Sequence, residues 1–354
     1  YAIMDELLGI LGADERAALA LRSLYTAWGY ARYRVSNFED YDLYVHNKEF
    51  LLTEGVLTFN DANGRLKALK PDVTLSIARD RPPPPGQVQR LHYHERVFRA
   101  SRLSEGFEEI TQVGLECMGA IGLYETCEVL LLAGRSLAQM GDTYILSISH
   151  MGLLGPYLAS CPAGQIAADK MADCLARKNP DGMAELAAQY NLPAPWVARA
   201  LTLEEAWGDP DKALPRLRKA FPEDHYQQVL DELQQVTQTL AGHGLDGRLS
   251  LDFSVMNSAS YYNGIVFHGY VPGIEARVLS GGRYDPLMRR LGRSDSALGF
   301  AVYLDKLAKK PMGGRISPQP LPFADDQPPG EVLARAEALA ARGGVRAVRE
   351  VPRG

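Results

Sequence analysis

Leu91-His-Tyr-His-Glu-Arg-Val-Phe-Arg99 is followed by a polar segment, Ala100 to Glu109, and then by Ile110-Thr-Gln-Val-Gly-Leu-Glu-Cys-Met118. Two strand-like runs bracketing a polar segment predict an antiparallel hairpin with a long tip. On its amino side, Phe50 to Phe59 and Gly64 to Ala68 predict two strands joined by the turn Asp61-Ala-Asn-Gly64. Lys70-Pro-Asp-Val-Thr74 follows as a tight element before a helical Leu75 to Arg79, and Arg81-Pro-Pro-Pro-Pro-Gly86 must be an exposed connection, since proline fits neither helix interior nor ladder. Farther out, Asp14 to Trp28 is an amphipathic helix with Leu21, Leu24, Tyr25 and Trp28 on one face and Gly29 as its stop. Tyr30 to Val35 then alternates as a strand does.

On the carboxyl side, Glu125 to Met140 predicts a helix and Tyr144 to Ser149 a strand. From Pro156 to Gly242, alanine, leucine, glutamate and glutamine dominate and Pro193, Pro195, Pro210 and Pro222 punctuate the run, the pattern of an inserted helical lobe. Strand patterns return at Leu249 to Val255, Tyr261 to Val271 and Arg277 to Leu279. Gly281-Gly282 is read as a turn, Pro286 to Leu291 as a helix, and Ala297 to Ala308 as a strand running into a helix. Beyond Lys309 the chain is rich in proline and glycine until a helix from Glu331 to Arg342. With no regular strand–helix alternation, the expected class is α+β: a mainly antiparallel sheet flanked by helices and interrupted by one helical insertion. The expected domains are a core of residues 1–155 and 243–309, an insertion at 156–242 and a short extension at 310–354.

The 354 residues are 46% hydrophobic and 23% charged, with a formal net charge of -5. A protein that grips tRNA through its phosphates carries a basic surplus or stripe, which this sequence lacks. Its four cysteines, Cys117, Cys127, Cys161 and Cys174, have no C-x-x-C spacing and read as reduced thiols of a cytoplasmic protein. No apolar run has the length of a membrane span, and nothing clusters as a metal site or implies a cofactor. Gly281-Gly-Arg283 lacks the strand–loop–helix frame and the Lys-Ser/Thr pair of a phosphate-cradling loop. The late arginines, Arg335 to Arg353, alternate with Glu331, Glu337 and Glu350 and read as a solvated or protein-facing surface.

Several segments in the right order carry a resemblance. Phe98-Arg99 with Thr111-Gln-Val-Gly-Leu-Glu116 resembles motif 2 of the class II aminoacyl-tRNA synthetases in its histidyl form. Lys70-Pro-Asp-Val-Thr74 looks like that family's R-P-E-x-T element, Tyr261-Tyr-Asn-Gly-Ile-Val-Phe267 and Ser280-Gly-Gly-Arg-Tyr-Asp285 like its two histidine-specific segments, and Gly299-Phe-Ala-Val-Tyr-Leu-Asp-Lys306 like a worn motif 3. The helix ending at Trp28 sits where motif 1, the dimer interface, is expected. The run from Tyr261 through His268 to Tyr270, followed by Leu279 to Asp285, is similar to the ATP phosphoribosyltransferase regulatory subunits, a paralogous family that cannot aminoacylate.

The resemblance implies a histidine site. Asp72 and Thr74 would bind the ammonium, Arg99 and Gln112 would serve the carboxylate, and Glu116, Tyr262 and Tyr284, with Tyr261 beside them, would surround the ring. On the nucleotide side the family's residues are gone. Asn257 stands in place of the arginine that neutralises charge on the α-phosphate, Ser260 in place of the acid before the paired tyrosines, and Ser101 in place of the adenine-reading glutamate. Tyr303 stands in place of a glycine and would crowd the nucleotide pocket, and Lys306 lacks the planar fork of an arginine. The residues after Lys309 are too few for a complete anticodon-binding domain.

The expectation is therefore a regulatory subunit without catalytic residues. It would bind L-histidine, form a homodimer, and assemble with the short catalytic subunit of ATP phosphoribosyltransferase, without tRNA. The alternative is an active histidine-tRNA ligase, which needs another positive charge where Asn257 stands.

Overall fold

The computed structural model describes residues 11–48, 51, 55–100, 106–256, 261–308, 319–323, 327–340 and 345–349. Its elements begin with α1 (Ala13–Ala27), β1 (Ala31–Arg32), β2 (Phe38–Asp40), α2 (Tyr41–Val45), β3 (Thr58–Asn60), β4 (Leu66–Leu69) and α3 (Thr74–Asp80). The predicted hairpin is β5 (Val88–Ala100) with β6 (Phe107–Gly119), in register from Val88 opposite Gly119 to Ala100 opposite Phe107. Pairing runs farther into the polar segment than its composition suggests, so the tip is shorter than expected.

After α4 (Leu123–Ala138) and β7 (Ile145–His150) the chain enters a run of helices: α5 (Met151–Ala159), α6 (Gln165–Ala176), α7 (Pro180–Gln189), α8 (Ala194–Glu205), α9 (Pro210–Ala220) and α10 (Asp224–Leu240). The core closes with β8 (Leu249–Leu251), β9 (Ile265–Tyr270), β10 (Leu279–Arg283), α11 (Asp285–Arg290), β11 (Ser296–Tyr303) and the short α12 (Asp305–Ala308).

The eight-stranded sheet has the order β1-β5-β6-β11-β10-β9-β7-β8. Its inner pairs are antiparallel, and parallel pairing is confined to its two ends, β1 with β5 and β7 with β8. A second, three-stranded sheet has the order β2-β4-β3. α4 packs on β7, β9 and β11 and under α10. Burial from several sides is why its sequence, with Val129, Leu130, Leu132 and Leu137 all fully buried, is apolar around most of its circumference. The helices from Met151 onward belong to the same compact unit as the sheet, Ala17–Leu307. Their own core is aromatic: Tyr157 stacks on Trp196 at 4.7 Å between centroids and meets Phe221 edge-on at 5.7 Å.

A second compact unit comprises Tyr1–Arg16 and Ala308–Gly354. Within it β12 (Gln319–Phe323) pairs in parallel with β13 (Val345–Arg349), and α13 (Pro329–Ala340) lies between them in sequence. The helix was legible in the sequence and the two strands were not.

Other readings need correction. Gly281-Gly282 is no turn but the middle of β10. A side chain at Gly281 would run into the backbone of Gly299 and the ring of Phe267, and one at Gly282 into the ring of Tyr262. The pair serves close packing between strands. The strand predicted from Tyr30 to Val35 is cut to Ala31–Arg32, and those predicted from Tyr261 and Leu249 to Ile265–Tyr270 and Leu249–Leu251.

Candidate functional site

Every site residue predicted from the sequence lines one cavity: Asp72, Thr74, Arg99, Gln112, Glu116, Tyr261, Tyr262 and Tyr284. The sheet explains the convergence. On the cavity side, Glu116, Gly114 and Gln112 of β6 face Gly299, Ala301 and Tyr303 of β11 as direct cross-strand partners. Gly299 and Ala301 in turn face Gly282 and Ser280 of β10. The floor is thus made of glycine, alanine and serine, and the large polar side chains stand at its ends and sides. An added side chain at Gly299 would strike the Glu116 carboxyl, and one at Gly114 would strike the Tyr93 hydroxyl. The missing side chains are what let both groups lie over the floor.

Glu116 is 1% exposed. Its two oxygens accept hydrogen bonds from the Thr74 hydroxyl at 2.6 Å and the Tyr284 hydroxyl at 2.5 Å. Tyr261 hydrogen-bonds with Thr74, so Tyr261, Thr74, Glu116 and Tyr284 form one connected network. Burial pushes the Glu116 carboxyl up to about 8, against the two hydrogen bonds, and nearby Asp72 adds to the rise. Burial likewise raises Asp72 and holds the Tyr93, Tyr261, Tyr262 and Tyr284 phenols far above their ordinary range. Tyr261 and Tyr262 stack obliquely with centroids 4.5 Å apart, and Tyr261 lies 6.0 Å from Tyr284. The result is an aromatic wall around one acidic end.

The pairing of Asp72 with Thr74 on an ammonium does not follow from their bonds here. Thr74 spends its hydroxyl on Glu116, and Asp72 accepts from the backbone N–H of Leu75 at 2.8 Å, capping the first turn of α3. Arg99 donates through Nε to the Pro71 carbonyl at 2.9 Å and is the one cation lining the cavity among the described residues. Gln112 is 3% exposed, and its side-chain nitrogen is buried without a hydrogen-bond partner. A buried amide donor left unpaired is costly, which makes it a ready contact for an acceptor on a ligand. The free volume at the centre is about 30 Å³, room for a water molecule or two, so the walls must part to admit anything larger.

Tyr93, Ser280, Phe300 and Ala301 also line the cavity and were not singled out in the sequence. Tyr303, expected to crowd a nucleotide, lines it too, whereas Lys306 sits in α12 and pairs with Asp305 at 3.1 Å. Arg283 of the glycine pair's segment is committed to Asp285 and Ser296. Ser101, Asn257 and Ser260, the other altered positions, lie outside the described residues.

A mainly antiparallel sheet with this cavity across its middle strands, walled by residues of the Tyr261–Phe267 and Ser280–Asp285 segments, defines a class II synthetase core. The family model for histidyl-tRNA synthetase matches residues 10–307. An ATP phosphoribosyltransferase regulatory subunit of Moorella thermoacetica is 31% identical over 302 residues, covering 82% of this chain and 77% of that one. A solved structure described as an ATP phosphoribosyltransferase regulatory subunit/histidyl-tRNA synthetase from Bacillus halodurans C superposes with a TM-score of 0.75 at 25% identity, covering 96% of this chain and 88% of that one. The HisG:HisZ ATP phosphoribosyl transferase complex from Thermotoga maritima contains a chain of the same fold, with a TM-score of 0.65 at 18% identity, covering 81% of this chain and 96% of that one. The chain belongs to the ATP phosphoribosyltransferase regulatory subunits, a non-catalytic branch of the histidyl-tRNA synthetase family.

Proposed function

We propose that this chain holds L-histidine in the cavity and confers histidine feedback on a short catalytic subunit of ATP phosphoribosyltransferase, in the first step of histidine biosynthesis. The observation that carries the reading is the polarity of the cavity. A carboxyl group locked by Thr74 and Tyr284 stands at one end, and an unpartnered Gln112 amide at the other. Protonated, Glu116 donates to an imidazole nitrogen; ionised, it accepts from a ring N–H. Arg99 and Gln112 serve the carboxylate, and Asp72 supplies negative charge for the ammonium.

The complex described for the Thermotoga maritima relative supports assembly with a catalytic subunit, and the proposal includes a homodimer of this chain within that assembly. The net charge of -5 fits a role without tRNA. Four free cysteines fit a cytoplasmic setting, and among the described residues no helix is long and apolar enough to cross a membrane.

Titration calorimetry with L-histidine on the wild-type chain and Glu116→Gln tests the site. Gln places a donor where Thr74 and Tyr284 already donate, so affinity falls about ten- to a hundred-fold. The assembled phosphoribosyltransferase loses histidine sensitivity to match, while pull-down of the catalytic subunit is unchanged. Wild-type affinity in the mutant, or inhibition that persists unaltered, puts histidine sensing elsewhere.

A further inference from the structure

The end of the cavity away from Glu116 is closed by Gln112 of β6 and Tyr303 of β11, which face each other across the sheet. Glu116 and Gln112 are four positions apart on one strand, a span of about 13 Å, so the two ends contact different parts of a ligand. Gln112 turns a buried, unpartnered amide into this end. Tyr303 lines it while only half-buried, in contrast to Tyr93 and Tyr262, which are 1% and 7% exposed. It lies beside Tyr93 and Tyr262 in the lining of the same cavity. Tyr303 is therefore a rim residue of the cavity.

We propose that Tyr303 makes this end selective for a free carboxylate: its hydroxyl joins the Gln112 amide in donating to the carboxylate of the bound amino acid, and its ring fills the space that a phosphoryl group joined to that carboxylate as an anhydride would need. The inference rests on the histidine reading above and adds to it a specificity residue that accepts the amino acid and rejects its adenylate.

The test is calorimetry on the full chain with three probes: L-histidine, L-histidinol, which lacks the carboxylate, and a non-hydrolysable histidyl-sulfamoyl adenosine. Wild type binds histidine and not the sulfamoyl adenosine. Tyr303→Phe weakens histidine about tenfold and leaves histidinol unchanged. Tyr303→Gly, checked for a wild-type unfolding midpoint, admits the sulfamoyl adenosine. Equal losses for histidine and histidinol in Tyr303→Phe, or no loss for either, overturn the hydroxyl's role even if Tyr303→Gly fails to fold. Tight binding of the sulfamoyl adenosine by wild type overturns the ring's role. If wild type binds no histidine at all, the reading of the whole cavity falls, and this inference with it.

Discussion

Burial, reinforced by Asp72, lifts the Glu116 carboxyl from an ordinary 4.5 to about 8, so in the unliganded protein it is mostly protonated at neutral pH. The unfolded chain releases that proton near the ordinary value. Between about pH 4.5 and 8 the folded state therefore binds more protons than the unfolded one, and stability falls as pH rises through this window. Urea unfolding across the window gives a midpoint that declines for wild type and declines less for Glu116→Gln, which has no proton to lose there. Parallel curves for the two proteins would mean that Glu116 titrates normally and that its network with Thr74 and Tyr284 is not what the geometry implies. A cationic group placed beside Glu116 reverses the shift and expels the proton, coupling ligand charge to the state of this one side chain.

Lys70 closes β4 onto the rest of the core. Its side chain is fully buried, with Nζ donating to Glu95 of β5 at 2.5 Å and to the Val35 carbonyl at 3.0 Å. Its backbone N–H donates to Asn37 and its carbonyl accepts from Phe98. The turn bearing Asp72 and Thr74 hangs from this junction. Lys70→Met leaves Glu95 largely buried without its cation, with only the Val35 N–H still donating to it, a loss of about 3–5 kcal/mol. Adding Glu95→Leu to that variant restores most of the midpoint in denaturant unfolding, and a double mutant as unstable as the single would show that the ion pair is not the fastener. The long elements were legible because their periodicity is local: α1, the hairpin, α4 and β11 all fall where the residue pattern puts them. β1 and β2, two and three residues long, are too short to carry a pattern. The glycine pair of β10 was misread because its reason, the ring of Tyr262, lies across the fold. Tyr93 escaped notice for the same cause: only the register that sets it opposite Gly114 brings its hydroxyl over the cavity floor.

The amino-terminal helix, which the resemblance places at a dimer interface, and the residues after it spend part of their aromatic surface within the chain. Tyr25 is 0% and Tyr30 1% exposed, Tyr25 bonded to Ser136 and Tyr30 to Glu128. Trp28 is half-buried under Arg135, whose guanidinium carbon lies 5.2 Å from its ring. What α1 keeps for a second copy includes Leu19, 47% exposed. Sedimentation velocity at micromolar concentration is expected to give a dimer for wild type and a shift toward monomer for Leu19→Glu, with the thermal midpoint within a few degrees because an exposed position costs little. A wild-type monomer would remove α1 from any symmetric contact.

The strand order has a consequence for how the molecule is made. β11 lies between β6 and β10, so the hairpin of β5 and β6 can pair as soon as it leaves the ribosome, yet its inner edge waits for residues 296–303. While the helices from Met151 onward are being synthesised, that edge is an open template for stray pairing, and it is the stretch where a nascent chain most needs cover from chaperones. Because Gly299, Ala301 and Tyr303 arrive with the same strand, the floor of the cavity and the closure of the sheet appear together, and no half-made copy can draw on the amino acid that the finished one is proposed to read.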